Sequence, residues 1–184
     1  MIRGIIPAWA KTSKALINAR SESIREKRSF KSAIQQRRCL VPADGFYEWS
    51  RIGKRPHLFT LNGGDPFAIA GIWDPGDVPR CCLLTTSGNS VLAPIHDRMP
   101  VIVGREDWEE WFSPGELAAQ SFLRITTPYE AEEMSVVAVS PLINSAKVED
   151  PRCCEPGDPQ PEVPAKLKIT RREGVDVDQQ TLGF

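Results

Sequence analysis

The sequence is poor in the residues that form metal sites and disulfide frameworks. It contains two histidines and five cysteines among 184 residues, and no cysteine pair has the C-x-x-C spacing of zinc ligands. An odd number of cysteines without a secretory signal argues against a set of structural disulfides. We therefore expect neither a bound metal nor another cofactor.

Long apolar runs are also missing. No run approaches the ~18 residues that a membrane-spanning helix needs, and the opening ten residues, interrupted by Pro7 and Trp9, are too short for a signal peptide. Hydrophobic residues make up 41% and charged residues 26% of the chain, which is typical of one globular domain. These features predict a cytoplasmic protein.

An excess of one charge is absent overall but present locally. The formal net charge is −1, yet residues 1–60 carry 13 Lys/Arg against 4 Asp/Glu, and residues 61–184 carry 10 against 20. This distribution is typical either of a surface that faces a polyanion or of charges scattered over solvated helix faces. Composition alone leaves both interpretations open.

Periodicity predicts an α+β domain. Residues 19–37 have helical spacing, and two further short helices are expected near Glu106–Phe112 and Pro114–Phe122. Short β-type runs separated by glycine and proline turns predict an antiparallel, barrel-like sheet with a few flanking helices. The apolar face of the first helix consists of Ala19, Ile24, Phe30, Ala33 and Ile34, and the β-type runs are Cys39–Val41, Phe46–Trp49, His57–Leu61, Phe67–Trp73, Cys81–Thr86, Val101–Val103 and Ser135–Val139.

The chain changes character near its end. Residues 157–184 begin with a proline-rich stretch, are highly charged and lack amphipathic periodicity, so we expect a flexible tail outside a domain of residues 1–156. The last six residues fit the pattern Q-x-x-L-x-F, which resembles peptides that dock on the bacterial replication sliding clamp. Either Gln179, Leu182 and Phe184 make that contact, or they belong to a frayed terminus without a role.

Three polar clusters are candidates for chemistry. Asn18 and Arg20 stand at the start of the basic helix, where they suit a phosphate or where Asn18 caps the helix. Glu48 lies between aromatics in GFYEW, so its carboxyl is either desolvated for acid–base work or exposed on an edge strand. His96 and Asp97, in PIHDRMP, form either a proton-transfer pair or a structural hydrogen bond. The other histidine has only the pattern of a strand residue.

Together these clusters resemble one family. The SOS response-associated peptidase (SRAP) domain contains, in the same order and spacing, the segments RGIIPAWA, INARSES, RRCLVPADGFYEW, FAIAGIWD, TTSGN, IHDRMPVIV and VSPLINSAKVEDP. The resemblance covers residues 3–156, and the joint occurrence of INAR, DGFYEW and IHDRMP is highly specific. It implies the SRAP fold and a role in the response to DNA damage, at abasic sites in single-stranded DNA.

The chemistry that the resemblance implies begins at an amino-terminal cysteine, which crosslinks covalently to the ring-opened sugar. By matching motifs, Asn18 would orient the cysteine and the adduct. Glu48 would be the general acid–base in Schiff-base formation and in peptidase-type self-processing. His96 would promote ring opening and lyase-like reversal of the crosslink. Contacts to DNA would come from Trp9, Arg20, Arg28 and Arg98.

The sequence departs from the family at the reactive residue. Position 2 is Ile2, the leading MCGR-type segment is missing, and none of the five cysteines stands at the matching position. Either the start is assigned too late and the protein carries an upstream Met-Cys, or this relative retains the DNA groove without the nucleophile. The first interpretation predicts a crosslinking enzyme and the second a catalytically dead single-stranded DNA-binding module. A conventional protease lacks support, because no triad order is visible.

Overall fold

Two β-sheets and four short α-helices form the described structure. It is a computed structural model that describes residues 2–6, 15–145, 147–148 and 150–157. The strands are β1 (Ile2–Arg3), β2 (Asn18–Arg20), β3 (Arg38–Ala43), β4 (Phe46–Trp49), β5 (Pro56–Leu61), β6 (Phe67–Asp74), β7 (Arg80–Ser87), β8 (Arg98–Pro100), β9 (Ile102–Val103) and β10 (Met134–Ala138). The helices are α1 (Ser21–Ile24), α2 (Lys31–Gln36), α3 (Trp108–Phe112) and α4 (Ala119–Ile125), with 3₁₀ turns at Arg105–Asp107, Ala131–Glu133, Pro141–Asn144 and Pro151–Cys154.

The larger sheet has seven strands and the smaller has three. In the larger sheet the path is β1-β7-β6-β3, with β2 and β8 also paired to β7 and β9 paired to β6. The short strands β1 and β2 run parallel to β7, and the other pairs are antiparallel. The smaller sheet has the antiparallel order β10-β5-β4. The α+β class is therefore confirmed, although the described strands form two sheets and not one closed barrel.

The larger sheet separates two apolar clusters. Its strand β6 is buried at six successive positions, as expected for a strand covered on both faces. Because successive side chains alternate between faces, Ala70 and Ile72 join a cluster with the helices, whereas Phe67 and Ile69 join a cluster with the smaller sheet. The second cluster thus holds β4 and β5 against the larger sheet.

The long helix predicted for residues 19–37 is wrong. Asn18–Arg20 is a strand that pairs with β7 at Leu83, Leu84 and Thr85, and helix is confined to Ser21–Ile24 and Lys31–Gln36. The parallel ladder with β7 satisfies backbone groups that a helix would otherwise pair locally. The predicted apolar face is nevertheless buried in full: Ala19, Ile24, Phe30, Ala33 and Ile34.

The other predicted elements are present, with shifted bounds. The β-type runs correspond to strands, except that of the predicted run Val101–Val103 only Ile102 and Val103 form a strand, β9, and Val101 separates it from β8. The helix expected near Pro114–Phe122 begins only at Ala119. Residues 158–184, which are all but the first residue of the predicted tail, lie outside the described residues. Within the described ranges, no helix has the length and apolarity to cross a membrane.

Candidate active site

A cavity opens where the edge of the smaller sheet meets the larger one. Its volume is about 330 Å³, and its walls come from β1, β2, β4, β6, β7 and β8. Two of the three predicted catalytic residues, Asn18 and Glu48, line it from different sheets. The full lining is Arg3, Asn18, Gly45, Phe46, Tyr47, Glu48, Trp49, Ile69, Leu83, Thr85 and Pro100.

Glu48 is presented to the cavity by the edge strand β4. Tyr47 and Trp49 also line the cavity, but their rings alternate to the opposite face of the strand. There Trp49 donates its indole N–H to Asn144 Oδ1 at 2.6 Å, and Tyr47 Oη lies 3.1 Å from Cys154 Sγ. These contacts fix the strand, so the direction of the Glu48 side chain is set by its neighbours. The predicted edge strand is confirmed, but the carboxyl on it is only 25% exposed.

The carboxyl of Glu48 holds its proton more tightly than an ordinary glutamate. Burial raises its pKa above the usual 4.5, and the charge of Asp97 acts in the same direction. His96, the backbone N–H of Trp49 and Arg3 oppose that rise. Because desolvation is the largest of these effects, Glu48 can supply and recover a proton closer to neutral pH than an exposed carboxylate can.

His96 lies beside Glu48, although the two residues are 48 positions apart. Its Nδ1 is 3.6 Å from Glu48 Oε2, and its Nε2 is 3.7 Å from Asp97 Oδ1. When Nδ1 carries a proton it donates to the carbonyl of Arg98 at 3.0 Å, and when it does not it accepts from the backbone N–H of Arg98 at 3.2 Å. His96 and Asp97 are thus in ion-pair contact without a hydrogen bond between them, and the main chain of Arg98 is the closer partner of the imidazole.

Asn18 enters the site from strand β2 and does not cap a helix. Helix α1 has Arg20 at its N-cap position, without a side-chain hydrogen bond. The Oδ1 of Asn18 instead accepts from Arg3 Nη2 at 3.1 Å. That contact leaves the amide N–H₂ of Asn18 as the group that can donate to a ligand.

The predicted DNA-binding residues have different surroundings. Arg20 is exposed on β2, in register with Thr85 on β7. Arg28 is exposed in the turn between α1 and α2. Arg98 is only 19% exposed, because Glu22 and Thr85 hold its guanidinium. Trp9 and the three predicted clamp-binding residues, Gln179, Leu182 and Phe184, lie outside the described residues.

Comparison with known proteins identifies the family of this chain. The family described as SOS response associated peptidase (SRAP) matches residues 1–146. The chain belongs to the SRAP family. The abasic site processing protein YoqW of Bacillus subtilis is 38% identical over 164 residues, covering 83% of this chain and 73% of that protein. The mouse abasic site processing protein HMCES is 30% identical over 197 residues, covering 84% and 55%.

A solved structure shares the SRAP fold of this chain. The crystal structure of a protein from Bacteroides thetaiotaomicron has a TM-score of 0.73 and 28% sequence identity, over 84% of this chain and 74% of that one.

The cysteines of this SRAP chain do not complete the site. Burial raises the pKa of the Cys39 thiol to about 11 and that of Cys82 to about 12, so both stay protonated and unreactive at neutral pH. Cys82 is fully buried in strand β7, whereas Cys81 is half-buried. In the described part of the chain, no group of three or more His, Cys, Asp and Glu residues could hold a metal ion.

Four residues around the site of this SRAP chain do not follow from the sequence motifs. Arg3 orients Asn18, Glu22 and Thr85 hold Arg98, and His57 stands directly opposite Glu48 in the β4–β5 ladder. His57 turns its Nδ1 to the carbonyl of Arg55 at 3.0 Å, and burial lowers its pKa. Glu22 and Thr85 lie inside the INARSES and TTSGN segments, so the motifs marked the right neighbourhoods without assigning the contacts.

Proposed function

We propose that this chain binds abasic sites in single-stranded DNA, in the cytoplasm, and processes them by covalent crosslinking. The observation that carries the proposal is the position of Glu48 at a cavity that Asn18 also lines, with His96 3.6 Å from the Glu48 carboxyl. This is an acid–base pair beside an amide donor, which suits proton transfers at a ring-opened sugar. Similarity to proteins named for abasic site processing supports the same substrate class.

The crosslinking step needs an amine and a thiol on one residue. The amine adds to the sugar aldehyde and the adduct loses water to form an imine. The thiol then adds to the imine carbon while its proton passes to nitrogen, closing a thiazolidine ring. The sequence has isoleucine at position 2, so we propose this step for a form that carries a Met-Cys leader from which the methionine is removed.

Each polar residue of the site has a role in this scheme. Glu48 protonates the departing hydroxyl during imine formation and takes part in the amide cleavage that removes the methionine. His96 donates a proton to the ring oxygen of the sugar and so promotes opening to the aldehyde, and it assists the lyase-like reversal of the crosslink. Asn18, held by Arg3, orients the cysteine and the adduct through its amide hydrogens.

The DNA backbone would follow the basic first third of the chain. Arg20 is exposed beside the cavity, and Arg28 is exposed one turn beyond α1, so both guanidinium groups can meet phosphates. Trp9 would stack on a base. A phosphate contact by Arg98 requires that the phosphate displace Glu22 from its guanidinium.

A non-catalytic DNA-binding module is the alternative function. It is favoured by the surroundings of the cysteines, since none of them lines the cavity in the described structure and two are kept protonated by burial. On this alternative the groove binds a damaged strand without reacting with it.

A crosslinking assay tests the proposal. The chain that begins at Met1, and the same chain with a Met-Cys-Gly-Arg leader, are incubated with single-stranded oligonucleotides that carry an abasic site or none. We expect a denaturation-resistant adduct only from the leader form with the abasic strand. Glu48→Gln in that form should slow the reaction by about 10²-fold or more, whereas Glu132→Gln, at an exposed residue of a 3₁₀ turn, should not.

Two outcomes would overturn the assignments. An unaltered rate for Glu48→Gln would remove Glu48 from the proposed acid–base role. Binding of the abasic strand without an adduct from the processed leader form would favour the non-catalytic module.

We also propose that the carboxyl-terminal residues dock on the replication sliding clamp. Leu182 and Phe184 would fill apolar pockets, Gln179 would hydrogen-bond at the rim, and the preceding charged segment would serve as a tether. A peptide of residues 170–184 is titrated against the clamp of the host beside its Leu182→Ala/Phe184→Ala variant. Micromolar binding that the double substitution abolishes is expected, and equal signals from the two peptides would end this proposal.

A further inference from the structure

The guanidinium of Arg98 forms a bidentate ion pair with the carboxylate of Glu22. Its Nη1 donates to Glu22 Oε1 at 2.6 Å, and its Nη2 donates to Glu22 Oε2 at 2.9 Å and to the carbonyl of Thr85 at 2.5 Å. The three residues belong to β8, α1 and β7. A fork of this kind fixes direction as well as distance, so the pair ties the beginning of β8 to two other elements.

The main chain of Arg98 contacts the imidazole of His96, the candidate proton-transfer group. The carbonyl of Arg98 and its N–H lie 3.0 Å and 3.2 Å from His96 Nδ1, and Glu48 Oε2 lies 3.6 Å from that nitrogen. The carbonyl favours a proton on Nδ1, and the N–H favours its absence. A small rotation of the backbone at Arg98 therefore changes which tautomer of His96 is preferred.

The surroundings of Arg98 favour a movement of its backbone if the ion pair with Glu22 is lost. The side chain is only 19% exposed, and its Nε is buried without a hydrogen-bond partner among the described residues. A charged group with an unsatisfied donor is drawn towards water. Glu22 and Thr85 hold it in place against that tendency.

We propose that Glu22 is a positioning residue that sets the tautomer and orientation of His96 through Arg98. The inference rests on the proposed function only in that His96 transfers protons there. Glu22 is 53% exposed and stands at the second position of α1, away from the contacts of Glu48 and His96. Its effect on the reaction is therefore transmitted by the arginine.

The two histidines of the chain make the proposal measurable without DNA. Nitrogen-15 shifts of the imidazoles at pH 7 report the tautomer ratio of His96, and His57 serves as an internal reference because its Nδ1 has its own partner, the carbonyl of Arg55. In Glu22→Gln the His96 ratio should change by about two- to tenfold, the range that one hydrogen bond supports. His57 should be unaffected. Glu22→Asp should restore part of the ratio, and Glu26→Gln, at an exposed carboxylate nearby, should change neither histidine.

A kinetic measurement separates positioning from DNA binding. In the leader form, Glu22→Gln should lower the maximal crosslinking rate, with the affinity for the abasic strand unchanged or tighter, because a guanidinium is released. An unchanged His96 ratio in folded Glu22→Gln protein would overturn the proposal, as would an equal response from His57. Failure of the crosslinking chemistry itself would leave the imidazole shifts intact, so the two proposals fail separately.

Discussion

The two sheets of the molecule differ in what they bury and in what they expose. Strand β6 of the larger sheet is buried at six successive positions, whereas β4 of the smaller sheet is half-buried throughout and β10 is exposed at its three central residues. The larger sheet therefore carries most of the core, and the edge of the smaller sheet carries the carboxyl that we assign to catalysis. The cavity forms where the buried larger sheet meets the half-buried edge strand β4. At such a place a carboxyl can be desolvated and still be reached by a ligand.

This difference between the sheets predicts that the largest loss of stability follows from a substitution of Arg38, where the helices pack on the larger sheet. Arg38 begins β3, is buried, and donates to the carbonyls of Trp111, Ile34, Gly115 and Ser113. Arg38→Met leaves these carbonyls without a donor, so the free energy of unfolding should fall by about 3–5 kcal/mol. Urea denaturation at pH 7 measures it.

The neighbouring arginine provides the control. Arg37 donates to the carbonyl of Trp73 at 3.1 Å and lies 3.9 Å from Asp74, with 28% of its side chain exposed. Arg37→Met should cost less than about 1 kcal/mol. Equal losses for the two substitutions would contradict the view that the larger sheet and its helices are held by the buried arginine.

A smaller loss is expected from the contact between the sheets. The ring of Phe46 on β4 stacks on Phe59 at 5.1 Å and meets the edge of Phe67 at 6.4 Å, so one side chain joins both sheets. Phe46→Leu should lower the free energy of unfolding by about 1–3 kcal/mol. Phe112→Leu, at a side chain that is 56% exposed, should stay within about 0.5 kcal/mol. A negligible effect of Phe46→Leu would mean that the sheets do not depend on this contact.

Much of the larger sheet could be predicted from the sequence, because buried strands leave a strong apolar pattern. The apolar face predicted for residues 19–37 identified the right buried residues but the wrong local structure at Asn18–Arg20, since that strand forms only by pairing with the distant β7. The same limit applies to the site. The motifs around Glu48 and His96 marked both residues, yet their 3.6 Å approach and the link from Glu22 to Arg98 depend on tertiary contacts that no local pattern contains.

The smallest predicted effect is a gain in stability at the site itself. The pKa of Glu48 is raised in the folded protein by burial, so its carboxyl favours folding while it is protonated in both states, below the usual value of 4.5. That contribution is lost as the pH rises through the higher pKa of the folded state, since ionisation is then easier in the unfolded chain. Glu48→Gln removes this penalty and should raise the free energy of unfolding at pH 7 by less than about 1 kcal/mol.

Denaturation at several pH values tests the sign of this effect. The gap between Glu48→Gln and the parent should be small below pH 4.5 and widen towards neutral pH. For Glu22→Gln the difference should have the opposite sign, because Arg98 lowers the pKa of Glu22. The parent gains stability from that carboxylate as the pH rises from this lowered pKa to the unfolded pKa, and the gain is complete above the unfolded pKa. Parallel trends for the two variants would contradict the contrast between a desolvated carboxyl and a paired one. Opposite trends would support a site at which burial raises the pKa of Glu48, which suits proton transfer but lowers the stability of the fold at neutral pH.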